Sequence, residues 1–168
     1  MPINVVAGGT PQRVRDVAPG SIFYLPLYKE RRLVLKARNS TEPPLKDFLV
    51  WLDQDPAKNV PQFELSESDA FENEQALVLD DVMLLPGLDD IEAKDDHYRE
   101  GDVLLEGGHA AIYCKANIKF KTFVSLETGL FRRPDLNAAG IKVRSWRLVR
   151  PVQGTIPIQY DELCKHAS

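Results

Sequence analysis

The chain has 168 residues and a mass of 18.9 kDa, and 43% of its residues are hydrophobic and 27% charged. This length is sufficient for one medium domain or two small ones, and the composition excludes a disordered chain, a disulfide-rich scaffold and a fibrous repeat. No apolar run approaches the roughly 20 residues of a membrane-spanning helix, and the first residues lack the basic and apolar pattern of a signal peptide. We therefore expect a cytoplasmic protein.

Charge is distributed unevenly along the chain. Residues 1–97 contain 10 Lys and Arg against 18 Asp and Glu, whereas residues 98–152 contain 10 against 5. The net charge of −4 thus conceals a basic second half. Such an asymmetry bears on partners and association. Either the two halves face each other within one molecule, or the basic half meets an anionic partner.

Four segments of the first half match four segments of the second half in the same order. Each match pairs short apolar runs, and the first pair shares a glycine before a β-branched residue, Gly20-Ser21-Ile22 and Gly101-Asp102-Val103. This pattern predicts a diverged internal duplication, with insertions in the first copy. The matched pairs are 15–22 with 96–103, 33–37 with 112–116, 48–52 with 122–126, and 77–86 with 142–151.

The runs within each copy are short, rich in Val, Ile, Leu, Phe and Tyr, and separated by Gly, Pro, Asn and Asp, which predicts an all-β fold. Units of about 55 residues with four or five strands resemble small SH3-like barrels. We therefore expect two tandem barrels with one or two short helices, at 66–75 and 134–140. The predicted divisions are 1–87 for the first barrel, 88–97 for an acidic linker, 98–152 for the second barrel, and 153–168 for a C-terminal tail.

The two cysteines, Cys114 and Cys164, lie far apart and have no CxxC spacing, which favours neither a zinc site nor a disulfide framework. Cys114 belongs to an apolar run, whereas Cys164 lies among polar residues near the chain end. We expect a buried, unreactive thiol at Cys114, a more exposed one at Cys164, and no bridge between them.

Basic and aromatic side chains alternate with apolar ones in two predicted strands of the second half. The alternation places Phe123 and Trp146 on the same face as the basic residues of their own strands. Neighbouring strands would then form a basic platform with two exposed rings, suited to nucleic acid or an acidic peptide. The competing interpretation, which we favour for Trp146, is that a β-bulge near Ser145 turns its ring inward, so that it belongs to the core. The predicted binding residues are Lys119, Lys121, Arg132, Arg133, Lys142 and Arg144.

Residues that carry catalytic chemistry are sparse. The sequence contains no nucleotide-binding or nucleophile motif, and the alternation places His109 and Cys114 on opposite faces of a strand. We predict no metal or cofactor. The leading hypothesis is a non-enzymatic interaction or assembly module that binds a protein partner or itself. The alternatives are a nucleic-acid-binding protein that uses its basic second half, and a small hydrolase or nuclease with a site near His109.

Overall fold

The computed structural model describes residues 9–27, 30–53, 62–117 and 120–167. Within these ranges the chain is mainly β, with three short 3₁₀ helices at Val14–Asp16, Ser68–Phe71 and Leu88–Asp90. None of the described helices is long and apolar enough to cross a membrane. The strands of the first half are β1 (Gly9–Arg13), β2 (Ile22–Leu27), β3 (Glu30–Arg38), β4 (Asp47–Trp51), β5 (Leu65–Glu67), β6 (Gln75–Leu79) and β7 (Met83–Pro86). Those that follow are β8 (Ile91–Ala93), β9 (Val103–Glu106), β10 (His109–Asn117), β11 (Phe120–Ser125), β12 (Phe131–Arg132), β13 (Gly140–Val143), β14 (Trp146–Val152) and β15 (Gln159–His166).

Two six-stranded antiparallel sheets have the same strand order. The first sheet runs β1-β6-β2-β3-β4-β5, and the second runs β8-β13-β9-β10-β11-β12. A third sheet, β7-β14-β15, pairs a strand of the first half with the C-terminal strands. The all-β prediction is therefore confirmed. The segments predicted as a linker and a tail contribute strands β8 and β15 to these sheets.

The sheets are open, so the prediction of closed SH3-like barrels is corrected. The edge strands within each described sheet do not pair with each other, and the inner faces of both sheets pack into one shared core instead. That core joins the two halves and buries its apolar side chains from water, which is the main favourable contribution to folding. Its members include Ile22, Leu35, Val50 and Leu79 from the first sheet, and Val103, Ile112, Val124 and Val143 from the second.

Contacts between the halves come in matched pairs, as a two-fold arrangement produces. Arg38 bridges Leu130 in parallel, and the equivalent residues in the register of the two sheets, Lys115 and Glu64, form the second parallel bridge. Strands β7 and β14 pair around Leu84 and Leu148, which lie directly opposite each other. Each half therefore contacts the other through equivalent positions.

Glycines at the start of β2 and β9 have the same conformation and the same hydrogen bonds. Gly20 has φ +87° and Gly101 has φ +90°, and each donates its N–H to a carbonyl of the next strand. A Cβ on Gly20 would lie 2.5 Å from a carbonyl oxygen of the second half, and one on Gly101 would lie 2.3 Å from the Phe63 ring. Only glycine fits both the backbone conformation and this close approach of the two halves.

The predicted helices are shorter than the sequence pattern suggested. The segment 66–75 contains one 3₁₀ helix of four residues, Ser68–Phe71. The segment 134–140 contains a turn in which Ala138 donates its N–H to the carbonyl of Asp135. Glycine at 140 opens strand β13 and does not end a helix. In this segment the strand pairing of β13 with β8 and β9 prevails over weak helical propensity.

Candidate anion-binding groove

A cavity of about 440 Å³ lies at the β12 edge of the second sheet, where β10, β11 and β12 come together. We call it the basic groove. Its position follows from the short edge strand β12, which places two consecutive arginines beside the aromatic residues of β11. The groove is lined by Asn39, Tyr113, Phe120, Lys121, Thr122, Phe123, Phe131, Arg132, Arg133 and Pro134.

Three of the six predicted binding residues, Lys121, Arg132 and Arg133, lie together in the basic groove. Lys121 is 46% exposed, and Arg133 is exposed with no carboxylate of the described ranges within ion-pair distance. Lys119 lies outside the described residues. The structure therefore brings half of the predicted set to one surface.

Lys142 was expected on an exposed strand face, and that placement is wrong. Its side chain is fully buried, and its Nζ lies 2.8 Å from Asp95 Oδ1, 3.1 Å from Glu92 and 2.9 Å from the carbonyl of His97. Strand β8 pairs beside β13 and places Glu92 directly opposite Lys142, and Asp95 follows two residues after the end of β8. Burial lowers the pKa of Lys142, but the hydrogen bonds and charges of Asp95 and Glu92 outweigh it and raise the pKa above its ordinary value.

Arg144 belongs to the same ion-pair cluster and lies outside the basic groove. Its guanidinium is 3.1 Å from Glu92 Oε2, and its side chain is mostly buried. The segment that was predicted as an acidic linker thus neutralises two of the basic residues that follow it. These two cations hold the outer face of the second sheet together.

Phe123 and Trp146, the two rings of the platform hypothesis, are both buried, and for Trp146 this is the position that we favoured. Trp146 donates its Nε1–H to the carbonyl of Gly101 at 2.7 Å and packs against Phe63, which confirms the core position. Phe123 packs against Tyr98 and Tyr113, with ring centroids 4.8 and 4.9 Å away. The prediction of a platform with two exposed rings at these positions is therefore wrong.

The exposed ring of the groove is Phe120, which the alternation pattern had assigned to the opposite face from Lys121. Phe120 is 44% exposed, and its centroid lies 6.0 Å from that of Phe131, which in turn packs against Phe48. A bulge between Lys115 and Asn117 shifts the pairing of β10 with β11 just where Phe120 begins its strand. The extra residue belongs to β10, so β11 keeps its alternation and Phe120 lies on the same face as Phe131. Among the described strands, β12 pairs only with Phe123 and Val124 of β11, so Phe120 lies at the open edge, and sequence reasoning missed it because it could not place the end of β12.

Glu100 is shared by two lysines at the rim of the groove. Its carboxylate lies 3.7 Å from Lys121 Nζ and 3.8 Å from Lys115 Nζ. Burial raises the pKa of Glu100, but a backbone hydrogen bond and the charges of both lysines outweigh it, so the pKa lies below its ordinary value. One carboxylate against two ammonium groups leaves a positive excess at this rim.

Glu106 is likewise shared, but in a buried position. Its carboxylate is 2.6 Å from Lys94 Nζ and 3.0 Å from the Arg132 guanidinium. It also accepts a hydrogen bond from the backbone N–H of Asp135. Burial raises the pKa of Glu106, yet the hydrogen bonds from Lys94 and Asp135 and the two positive charges lower it further than burial raises it. Glu106 therefore holds Arg132 at the groove. Its single negative charge is shared between two positive side chains, Lys94 and Arg132.

The first sheet has a second cavity of about 490 Å³ on its own outer face. There the buried Lys36 donates to the carbonyl of Val14 at 2.6 Å and lies 3.4 Å from Asp47, which also binds Arg38. Four basic and three acidic side chains line this cavity, so its charges nearly balance, whereas the lining of the basic groove has three basic side chains and no carboxylate. The acidic lining residues are Asp47, Asp69 and Glu72.

Residues with nucleophilic or metal-binding chemistry are dispersed in the described ranges. His109 is exposed at the start of β10, whereas Cys114 is buried in the shared core. Both cysteines are free, as predicted; burial raises the pKa of Cys114, and burial together with nearby Asp53 raises the pKa of Cys164 to about 12. No group of three or more His, Cys, Asp or Glu side chains within these ranges is placed to hold a metal ion.

Comparison with protein-family models, curated proteins and solved structures found no match to this chain.

Proposed function

We propose that the chain is a non-enzymatic interaction module whose partner surface is the basic groove. The observation that carries the proposal is the grouping of Lys121, Arg132 and Arg133 around a partly exposed ring in one cavity. A concave surface that combines aromatic and convergent polar groups is the usual form of a binding site. The partner of such a surface is negatively charged.

The distribution of the other charges supports a binding role over a catalytic one. Lys36, Lys142 and Glu106 are buried in ion pairs and hydrogen bonds, and they hold strands and covering segments in place. Catalysis requires a reactive group at an accessible position next to an activating partner. The accessible charges of the basic groove are lysine and arginine, which suit the recognition of an anion.

We also propose that the two halves descend from one duplicated unit and that the protein resides in the cytoplasm. Shared strand order, matched glycines and paired contacts between the halves support the duplication. Two unpaired cysteines suit a reducing compartment. In this proposal the duplicated scaffold was retained for stability, while the β12 edge of the second sheet acquired the basic groove.

The test is retention on a heparin column, with heparin as a generic polyanion. The double variant Lys121→Ala/Arg133→Ala should elute at a clearly lower salt concentration than the wild-type chain. A groove with fewer cations releases fewer counterions from the polyanion when it binds. Arg13→Ala/Arg31→Ala is the matched control, since it removes two exposed arginines of the first sheet outside the groove. Equal elution of the groove variant and the wild type, or an equal shift in the control, would contradict the proposal.

A further inference from the structure

We propose that the basic groove binds single-stranded nucleic acid, with a base stacked on Phe120 and phosphates held by Lys121, Arg132 and Arg133. This inference rests on the proposed function and names the chemical class of its partner. It is argued from the exposed ring, from the excess of positive charge, and from the shape of the sheet edge.

The ring of Phe120 provides a stacking surface beside the cations. It is 44% exposed, and the ring of Phe131 packs against it at a centroid distance of 6.0 Å, with the two ring planes tilted by 39°. Phe131 is itself fixed by Phe48 of the first half, 5.2 Å away. An aromatic ring held in this way accepts any nucleobase, because every base has a π-face. Stacking on aromatic side chains is the common feature of proteins that bind single strands.

Positive charge exceeds negative charge around this ring. Lys115 and Lys121 share Glu100, Lys94 and Arg132 share Glu106, and Arg133 adds a further charge. Glu64 bridges Lys115, and Asp135 lies in the next turn, so these five basic side chains exceed the four carboxylates by one. The lining of the groove itself contains Lys121, Arg132 and Arg133 and no carboxylate. Phosphates along an extended strand would balance this excess.

The sheet edge favours a nucleic acid over an acidic peptide. A peptide that adds to a sheet edge derives its affinity from main-chain hydrogen bonds along several residues. Strand β12 has only two residues, Phe131 and Arg132, so it provides few such bonds. A duplex is disfavoured because its bases are stacked within the helix and cannot reach the ring. The unstacked bases of a single strand can use the ring directly.

The test measures binding of a fluorescein-labelled 12-nucleotide oligo(U) by fluorescence anisotropy at several salt concentrations. Phe120→Leu should weaken binding about tenfold with an unchanged salt slope, because it removes stacking and keeps every cation. Lys121→Ala and Arg133→Ala should each reduce the salt slope by about 0.7. Tyr160→Leu, which changes an exposed ring outside the groove, is the control and should bind as the wild type does.

Two further probes separate the possible partners. A labelled 12-residue polyglutamate peptide and a 12-base-pair duplex should each bind at least tenfold more weakly than the oligo(U). Thermal unfolding of Phe120→Leu checks that the variant is folded, and Phe120→Tyr, which keeps the ring, should bind as the wild type does. Equal binding by Phe120→Leu, or a peptide as tight as the oligo(U), overturns the inference. If heparin retention still depends on Lys121 and Arg133, the proposed function survives that failure; if it does not, both proposals fall.

Discussion

The outer faces of the two sheets differ, although their strands follow the same order. On the first sheet, Phe23 and Val34 belong to an apolar cluster that includes Val14 and Val17 from the region of the first 3₁₀ helix. The equivalent positions on the second sheet, set by the pairing of β9 with β10, are Leu104 and Ala111.

Charged groups complete the second outer face. Val78 on β6 and Lys142 on β13 occupy equivalent positions in the two sheets. Lys142 is covered by Glu92 and Asp95, and nearby Glu106 binds Lys94 and Arg132. At this position the same strand order thus accepts either an apolar side chain or an ion-paired one, because the shared inner core provides most of the apolar burial. The second outer face is thereby left with polar groups at its edge, and the basic groove occupies that edge.

Alanine substitution of equivalent buried residues should give the largest difference in the free energy of unfolding between the two outer faces. Phe23→Ala should lower the free energy of unfolding by about 3–5 kcal/mol, the usual range for a fully buried phenylalanine. Leu104→Ala should cost less, about 2–3 kcal/mol, because its cluster is smaller and is flanked by partly exposed tyrosines. Urea denaturation followed by circular dichroism measures both values. A larger loss for Leu104→Ala would reverse the comparison.

Removal of the Asp47 carboxylate should lower the free energy of unfolding, because this group pairs with two basic side chains of the first sheet. Asp47→Ala leaves the ammonium group of Lys36 buried with only a carbonyl partner, and it removes the two hydrogen bonds that Arg38 donates. We expect a loss of about 2 kcal/mol, below the 3–5 kcal/mol of a fully buried pair because the Asp47 side chain is 20% exposed. Asp95→Ala is the counterpart on the second sheet, where Lys142 keeps Glu92 and the carbonyl of His97. It should destabilise the fold less in the same denaturation experiment.

Acid should weaken the ion-pair cover of the second sheet. The folded-state pKa of Glu106 lies below its ordinary value of 4.5, so its contribution to stability is present above pH 4.5 and is lost as the pH falls through the folded pKa. Glu106→Gln should therefore be less stable than the wild type near pH 7 and lose less stability between pH 5 and pH 3. Glu74→Gln, at an exposed position, is the control for the change in net charge. Parallel curves for Glu106→Gln and the wild type would contradict this expectation.

Replacing the buried lysine with an apolar side chain should have the smallest effect. Lys142→Met keeps most of the side-chain volume, and the carboxylates of Glu92 and Asp95 are nearly half exposed, so water solvates them after the change. Removing one partner of an ion pair is costly mainly when the other charge is left buried and unpaired, and here both remaining carboxylates contact water. We expect a change within about 1 kcal/mol, measured by thermal unfolding at neutral pH. A loss of several kcal/mol would show that the ion-pair cover is essential to the second sheet.

Part of the strand arrangement could be predicted from the sequence, because some of its positions accept few residue types. The strand pairing places Leu49 and Phe123 at equivalent positions, as the match of 48–52 with 122–126 predicted. Gly20 and Gly101 were also matched correctly, since a positive φ and close approach require glycine. By contrast, the pairing aligns Leu35 with Ile112, whereas the sequence match aligned Leu33 with Ile112. A shift of two residues keeps the same face of a strand, so alternation alone does not distinguish these registers.

The groove was less predictable because it depends on contacts between distant segments. Lys142 looks like an exposed lysine until β8 brings Glu92 beside it, 50 residues earlier in the chain. Phe120 looks like a buried inner residue, but β12 pairs only with Phe123 and Val124 in the described strands and leaves the ring of Phe120 exposed at the sheet edge. Arg132 and Arg133 lie outside the regular runs, and their charge was therefore easier to place on the surface than the charges within strands. Local patterns identified these cations, and the packing of distant segments decided which of them remain accessible.

The bridges that join Arg38 to Leu130 and Glu64 to Lys115 also bear on how the chain unfolds. Each links segments of different halves, and β7 and β14 pair residues that are 60 to 66 positions apart. Neither sheet can lose its partner without exposing its inner apolar face to water. The two halves should therefore denature in one cooperative transition, with calorimetric and van't Hoff enthalpies that agree. The many sequence-distant pairings should also make refolding slow compared with that of a helical protein of equal length.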